Sequence, residues 1–314
     1  MNLTNKDRLF EAIEKTDRLL PAARTLGRAL HLLQDAKSTL LDIAQLINCD
    51  SALAVDVLRC ANSAYYSRAS RVSSIGEAMH VIGFDETKRF VCLAVAQKAT
   101  NRELKAYGIS AEDYWVESLF NGYFLEDLIR RIGDADPAEA YIVGLLRFVG
   151  RLVIDSVIVG SPDLSEWDGN TVLSEWEQSQ VGLTHSNVGG KMLRKWSFPP
   201  RLCNAIESQN STDEIQHASS RLADCMRFVS EILPEGRSFT LIDPKAGGVI
   251  PCEEDHPFLI THKLKIDTVA AVYQTAKNSC ASIREMMRGA TGALRGGTGD
   301  VRDKGPRETR DWDF

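Results

Sequence analysis

The sequence lacks two features that would place it in a membrane or an oxidising compartment. A membrane-spanning helix needs about 20 mostly apolar residues, and the most apolar segment, residues 141–159, is interrupted by Arg147, Arg151 and Asp155. The seven cysteines never form a C-x-x-C pair, which argues against a zinc ribbon or a disulfide framework. The first residues also lack the basic-then-apolar order of a signal peptide. We therefore expect a reduced, cytoplasmic protein without a membrane partner.

Several enzyme and binding classes are equally poorly supported. The net charge of -6 gives no general basic surface, so nucleic acid is an improbable partner. The sequence contains no P-loop, no GxGxxG dinucleotide fingerprint and no nucleophile elbow, the motifs that mark common nucleotide-dependent and hydrolytic enzymes. With 314 residues, 44% of them hydrophobic, the chain can bury a sizeable core without disulfides or structural metals.

Helical periodicity dominates the chain and predicts an all-α protein. Apolar residues recur at three- and four-residue spacings through most of the sequence, the pattern of helices with one buried face. Ser74 and Glu77 form a capping-box pattern that opens a helix, and Gly83 closes it. The segment 138–159 is apolar nearly all round, so we expect it to be one central helix. Arg147, Arg151 and Asp155 would then share a helix face as a ladder of ion pairs.

We divide the chain into three parts. Residues 1–105 are expected to form an N-terminal helical half, and residues 106–288 a helical bundle with a C-terminal helix. Residues 289–314 are rich in Gly, Arg and Asp and should form a disordered tail. A loop or small hairpin is predicted near residues 234–261, where Pro, Gly and short β-prone runs occur.

The tail closes with two large aromatic residues, Trp312 and Phe314, among acidic neighbours. Aromatic residues in a segment with no core to bury them suit a short motif that docks into an apolar pocket of a partner. A frayed end without function is the simpler alternative, because termini tolerate almost any sequence.

Several short motifs follow one another in a fixed order between residues 18 and 230. They are Leu20-Pro-Ala-Ala, Leu40-Leu-Asp-Ile-Ala-Gln-Leu-Ile47, Leu58-Arg-Cys-Ala-Asn-Ser-Ala-Tyr-Tyr66, Ala78-Met-His-Val-Ile-Gly83, Gly144-Leu-Leu-Arg-Phe-Val-Gly-Arg-Leu152, Gly182-Leu-Thr-His185, Trp196-Ser-Phe-Pro199 and Leu222-Ala-Asp224. This series resembles the HDOD family, and the Ala-Asn-Ser-Ala-Tyr-Tyr block is its most specific part. Asn62, Tyr65 and Tyr66 in that block suit a helix-ending turn better than a partner surface.

The resemblance implies a fold related to HD and HD-GYP phosphohydrolases, in which His and Asp ligands hold a divalent metal that activates water. Where those relatives have catalytic ligands, this chain has the following residues of a degenerate site: Glu117, Arg147, Phe148, His185, Ser208, Gln209 and Asp224. Only His185 and Asp224 remain as conventional ligands. Arginine cannot deprotonate to bind a metal, and its charge repels one, so we expect no metal, no cofactor and no catalysis. Arg147 should instead be buried beside Glu117, Asp224 or both.

The resemblance therefore favours a non-catalytic regulatory protein that binds protein partners. The family setting suggests bacterial signalling linked to cyclic-di-GMP, motility or stress. Two alternatives remain open. One is a phosphohydrolase with a shifted ligand set of Glu117, His185 and Asp224, and the other is a nucleotide-sensing module in which Arg147 holds a phosphate, with a cyclic dinucleotide as the possible ligand.

Overall fold

The protein is described here from a computed structural model. The structure describes residues 4–15, 38–48, 51–62, 66, 72–84, 86–87, 90–91, 94, 102–133, 135–210, 221–233 and 252–295. Within these ranges the chain forms thirteen α-helices and a 3-10 turn, and no β-strand beyond an isolated bridge between Leu104 and Ile109. The predicted all-α class is therefore confirmed.

The described helices are numbered in chain order. They are α1 (Asn5–Glu14), α2 (Leu40–Asn48), α3 (Ser51–Ala61), α4 (Ile75–Ile82), α5 (Ala111–Ile132), α6 (Pro137–Leu145), α7 (Arg151–Val159), α8 (Leu173–Val181), α9 (His185–Lys195), α10 (Pro200–Glu207), α11 (Arg221–Ile232), α12 (Pro257–His262) and α13 (Ile266–Arg295), with the 3-10 turn Lys105–Tyr107 before α5. None of the described helices is both long and apolar enough to cross a membrane.

Helix α5 organises the second half of the molecule. Its N-terminus is capped by Ser110, whose hydroxyl accepts from the backbone N–H of Asp113 at 3.1 Å, and it ends at Gly133 with a positive φ of 79°. Between these ends, apolar side chains on several sides of the helix are buried, including Phe120 and Phe124. The helix packs against α6, α11 and α13, while α2, α3 and α4 pack against one another. Buried side chains from both halves belong to one continuous core.

The predicted central helix over 138–159 is wrong, because the structure divides it into α6 and α7. Residues 146–150 form tight turns, and Arg151 N–H bonds to Phe148 O at 3.0 Å. Gly150 explains the break: a Cβ there would lie 2.0 Å from the carbonyl oxygen of His185, so only glycine lets the chain approach the start of α9 this closely. Arg147 is consequently in the turn and does not share a helix face with Arg151 and Asp155.

Two further boundaries differ from the sequence prediction. Residues 257–261, assigned to the loop or hairpin near 234–261, belong to helix α12, while residues 234–251 lie outside the described residues. Helix α13 continues to Arg295, six residues beyond the predicted start of the tail at Gly289, since glycine inside a helix costs only about 1 kcal/mol. The rest of the tail, with Trp312 and Phe314, lies outside the described residues.

Asn62, directly after helix α3, is bonded to Val72. Its side-chain amide donates to the carbonyl oxygens of Leu58 at 2.8 Å and Val72 at 2.9 Å, and its Oδ1 accepts from Val72 N–H at 2.9 Å. The side chain thus links the end of α3 to the residues that precede α4. These contacts agree with the helix-ending turn predicted for this block, and Tyr66 packs partly buried against the core. Tyr65 lies outside the described residues.

Candidate functional site

Arg147 is at the centre of a buried polar cluster that joins four segments of the chain. The residue is 1% exposed. Its Nη1 donates to Asn121 Oδ1 at 2.8 Å, its Nη2 to Ser230 Oγ at 3.0 Å and its Nε to Gln209 Oε1 at 3.0 Å. Gln209 returns a hydrogen bond from Nε2 to the carbonyl oxygen of Arg147 at 3.2 Å. We refer to Arg147, Asn121, Gln209 and Ser230 as the Arg147 cluster.

Phe148 has two guanidinium groups close to its ring. The Cζ of Arg151 is 3.7 Å from its ring centroid and the Cζ of Arg147 is 4.6 Å away, distances at which cations are attracted to an aromatic face. Arg151 is fully buried and pairs with Glu117, whose Oε2 lies 3.3 Å from its Nη1. The Phe148 ring and the guanidinium groups of Arg147 and Arg151 therefore occupy this part of the buried interior.

His185 begins helix α9 and is held by a buried carboxylate. Its Nδ1 lies 2.9 Å from Oε2 of Glu177, and the same oxygen accepts from the backbone N–H of His185 at 2.7 Å. The second oxygen of Glu177 accepts from Tyr107 Oη at 2.9 Å. His185 and Glu177 are both completely buried, and the His185 ring packs against Phe148 at 5.6 Å. The carboxylate fixes the imidazole so that Nδ1 carries the proton that it donates.

Burial and the neighbouring carboxylate also act on Tyr107. Burial raises the pKa of its hydroxyl well above the ordinary value, and the negative charge of Glu177 adds to that shift. Burial likewise raises the pKa of Asp155, although Ala106 N–H and Arg102 both stabilise its carboxylate. Tyr107 is thus a hydrogen-bond donor that stays protonated throughout the accessible pH range, which suits a structural role.

Two of the residues predicted for the degenerate site make their described contacts elsewhere. Ser208 is the C-cap residue of α10, and its hydroxyl donates to Ala205 O at 3.4 Å within the same helix. Asp224 pairs with Arg227 one turn further along α11. Helix α11 instead contributes Ser230 to the Arg147 cluster. The carboxylate of Glu117, expected beside Arg147, is placed beside Arg151.

Sequence reasoning missed Asn121, Glu177, Tyr107 and Ser230. Glu177 had the clearest signal, because it precedes His185 by eight residues across a single tight turn at Gly182. No local pattern marks the other three as members of a polar interior, whether in helices α5 and α11 or in the 3-10 turn. Among the described residues, no group of three or more His, Cys, Asp or Glu side chains is placed to hold a metal ion.

Comparison with known proteins identifies a family that covers the Arg147 cluster except for Ser230. Residues 19–212 match the HDOD domain. An uncharacterized protein of Treponema pallidum (strain Nichols) is 26% identical in an alignment of 202 residues that covers 61% of this chain. The chain spans 37% of the length of that curated relative.

Three solved structures share the fold at 18–19% sequence identity. An HDOD domain protein of unknown function from Geobacter sulfurreducens aligns with a TM-score of 0.57 over 91% of this chain and 93% of its own. A protein from Marinobacter aquaeolei VT8, provisionally named a signal transduction protein, gives 0.60 over 90% of this chain and 66% of its own. One from Shewanella amazonensis SB2B, provisionally named a phosphohydrolase, gives 0.59 over 87% and 97%.

Proposed function

Because the chain belongs to the HDOD family, we propose that it is a non-catalytic regulatory protein, which binds partner proteins in a bacterial signalling pathway and turns over no substrate. The observation that supports this most strongly is the placement of Arg147, Phe148 and Arg151. Two buried guanidinium groups on one phenyl ring stand where a related phosphohydrolase would need neutral or anionic ligands for a cation.

The donor atoms around this position do not fit a divalent metal. Both ends of the Gln209 side-chain amide are engaged by Arg147. Glu117 faces the guanidinium of Arg151. The contact between His185 Nδ1 and Glu177 does not bear on this point, because metal-ligating histidines commonly donate their other ring N–H to a carboxylate. A metal would have to enter beside two fixed positive charges, and the cost of that approach is high in a water-poor interior. No hydrolytic step is therefore assigned to these residues.

The same contacts suit a structural role. The Arg147 cluster connects α5 through Asn121, the end of α10 through Gln209, and α11 through Ser230. One guanidinium with three directed hydrogen bonds can hold these segments in a fixed arrangement. In this proposal the arginine replaces the metal as the link between helices, and the helical surface is what partners recognise.

Metal content and hydrolysis measured on the purified full chain test the proposal. We expect substoichiometric divalent metal by elemental analysis and no phosphodiester turnover above the protein-free rate with added Mn²⁺ or Mg²⁺. An authentic metal-dependent phosphodiesterase serves as the positive control. Stoichiometric, tightly held metal together with turnover that His185→Ala abolishes would refute the proposal and support the shifted-ligand hydrolase.

Two further measurements address the partners. A saturable rise in melting temperature with a cyclic dinucleotide, lost in Arg147→Met, would instead support nucleotide sensing.

For the aromatic motif at Trp312 and Phe314, deletion of residues 311–314 should reduce recovery of the native partner in a pull-down. Unchanged recovery would make the motif a bystander.

A further inference from the structure

Helix α1 lies outside the part of the chain that matches the HDOD domain, yet it packs against α7, α8 and α9. We propose that α1 is a displaceable internal ligand: it occupies a groove formed by α7, α8 and α9 that receives an amphipathic helix of a partner protein. This proposal rests on the proposed partner-binding function, to which it adds a surface and a partner chemistry.

The apolar contact of α1 with the groove is narrow. Of its ten residues, only Leu9 and Ile13 are buried, at 0% and 4% exposure, and they are one helical turn apart. Phe10 beside them is 40% exposed and lies under the ammonium group of Lys191 at 5.7 Å. A single i, i+4 pair of apolar side chains is a motif that many partner helices can supply.

The polar contacts of α1 are at both ends of the groove and are exposed or part-buried. Arg8 Nη1 lies 2.8 Å and 3.0 Å from the two carboxylate oxygens of Asp163. At the other end, Lys195 Nζ donates to the carbonyl oxygens of Ile13 and Glu14, the last residues of the helix. The groove thus offers the carboxylate of Asp163 near Leu9. It also offers the ammonium group of Lys195 at the C-terminus of α1, where the helix dipole favours a positive charge. Pairs exposed to solvent are weakened by salt.

Two features suit α1 to exchange with another helix that supplies the same core contacts as Leu9 and Ile13, and a third places the groove close to His185. Helices of this length are marginal in water on their own, so α1 depends on the groove for its structure. Its N-terminus carries a complete capping box between Thr4 and Asp7, which favours helix as soon as the groove is occupied. The side chain of Lys6 lies against Gly182, the residue between Glu177 on α8 and His185 on α9. The helix that occupies the groove therefore lies close to the buried contact between Glu177 and His185.

The experiment opens the groove in the full chain and refills it with a peptide. Leu9→Ser and Ile13→Ser together remove the apolar contact of α1, and Glu11→Ser, an exposed position on the same helix, is the matched control. A labelled synthetic peptide of residues 1–15 is titrated into each chain, and binding is followed by fluorescence anisotropy. A peptide carrying both serine substitutions tests specificity, and a circular dichroism melt reports whether each chain is folded.

We expect the doubly substituted chain to melt cooperatively and to bind the wild-type peptide saturably, at least about tenfold more tightly than the wild-type and Glu11→Ser chains do. The serine peptide should not bind. The proposal is overturned if the folded double variant fails to bind, if all three chains bind equally, or if the double variant loses its cooperative melt. That last result would make α1 an integral part of the core. Metal and hydrolysis assays are independent of these outcomes, so failure of either proposal is recognised separately.

Discussion

At the scale of single residues, the proposed lack of catalysis depends on Arg147 and Phe148, which the family resemblance aligns with metal ligands of phosphohydrolases. Arg147 is a permanent cation, and the Phe148 ring lies near two guanidinium groups. That proposal could be made from the sequence alone, because it depends on residue identity. The partners of Arg147 could not be recognised in the same way, since Asn121, Gln209 and Ser230 are 26 to 83 positions away along the chain.

Removal of Arg147 tests whether it links the helices. Arg147→Ala should lower the free energy of unfolding by about 3 kcal/mol, because the change leaves buried polar groups without a donor. The matched control is Arg131→Ala, which removes an exposed i, i+4 pair with Asp127 and should cost less than about 0.5 kcal/mol. Urea unfolding followed by circular dichroism measures both. Equal effects of the two substitutions would show that the buried cluster contributes no more than a surface ion pair.

At the scale of helices, the sequence predicted which helices exist better than it predicted where each helix begins and ends. The helix between Ser74 and Gly83 is present as its capping residues indicate, with Glu77 N–H bonded to Ser74 Oγ at 3.2 Å. The prediction of one continuous helix over 138–159 was wrong, and no local sequence pattern could have shown the reason. Hydrophobic periodicity describes which face is buried, whereas the break at 146–150 depends on how closely Gly150 approaches another helix.

Two glycine substitutions separate close packing from glycine flexibility. Gly150→Ala should destabilise the protein by about 2 kcal/mol or more, because its Cβ would meet the backbone of His185, which cannot rotate away. Gly76→Ala, at an exposed position of α4 with nothing within 4 Å of the added Cβ, should stabilise by about 0.5 kcal/mol through the unfolded state. Opposite shifts in thermal midpoint confirm this account, and a neutral Gly150→Ala contradicts it.

At the scale of the whole molecule, the sequence suggested two helical parts, residues 1–105 and 106–288, and the structure contains one core that includes residues of both. Two separate helical parts and one shared core predict different unfolding behaviour. Separate units would unfold in separate transitions, whereas a shared core favours a single cooperative one. The family resemblance placed both parts in one fold but could not specify how strongly their stabilities are coupled, which depends on packing between distant segments.

The tryptophan distribution provides a direct measurement of that coupling. All five tryptophans follow residue 114, so intrinsic fluorescence reports the second part, while circular dichroism reports helices throughout the chain. Leu53→Ala removes a fully buried side chain from α3 in the first part and should cost about 2–5 kcal/mol. We expect the fluorescence and circular dichroism midpoints to fall together, as they should for Leu202→Ala on α10. If Leu53→Ala lowers only the circular dichroism midpoint, the two parts unfold independently, and the shared core does not transmit stability between them.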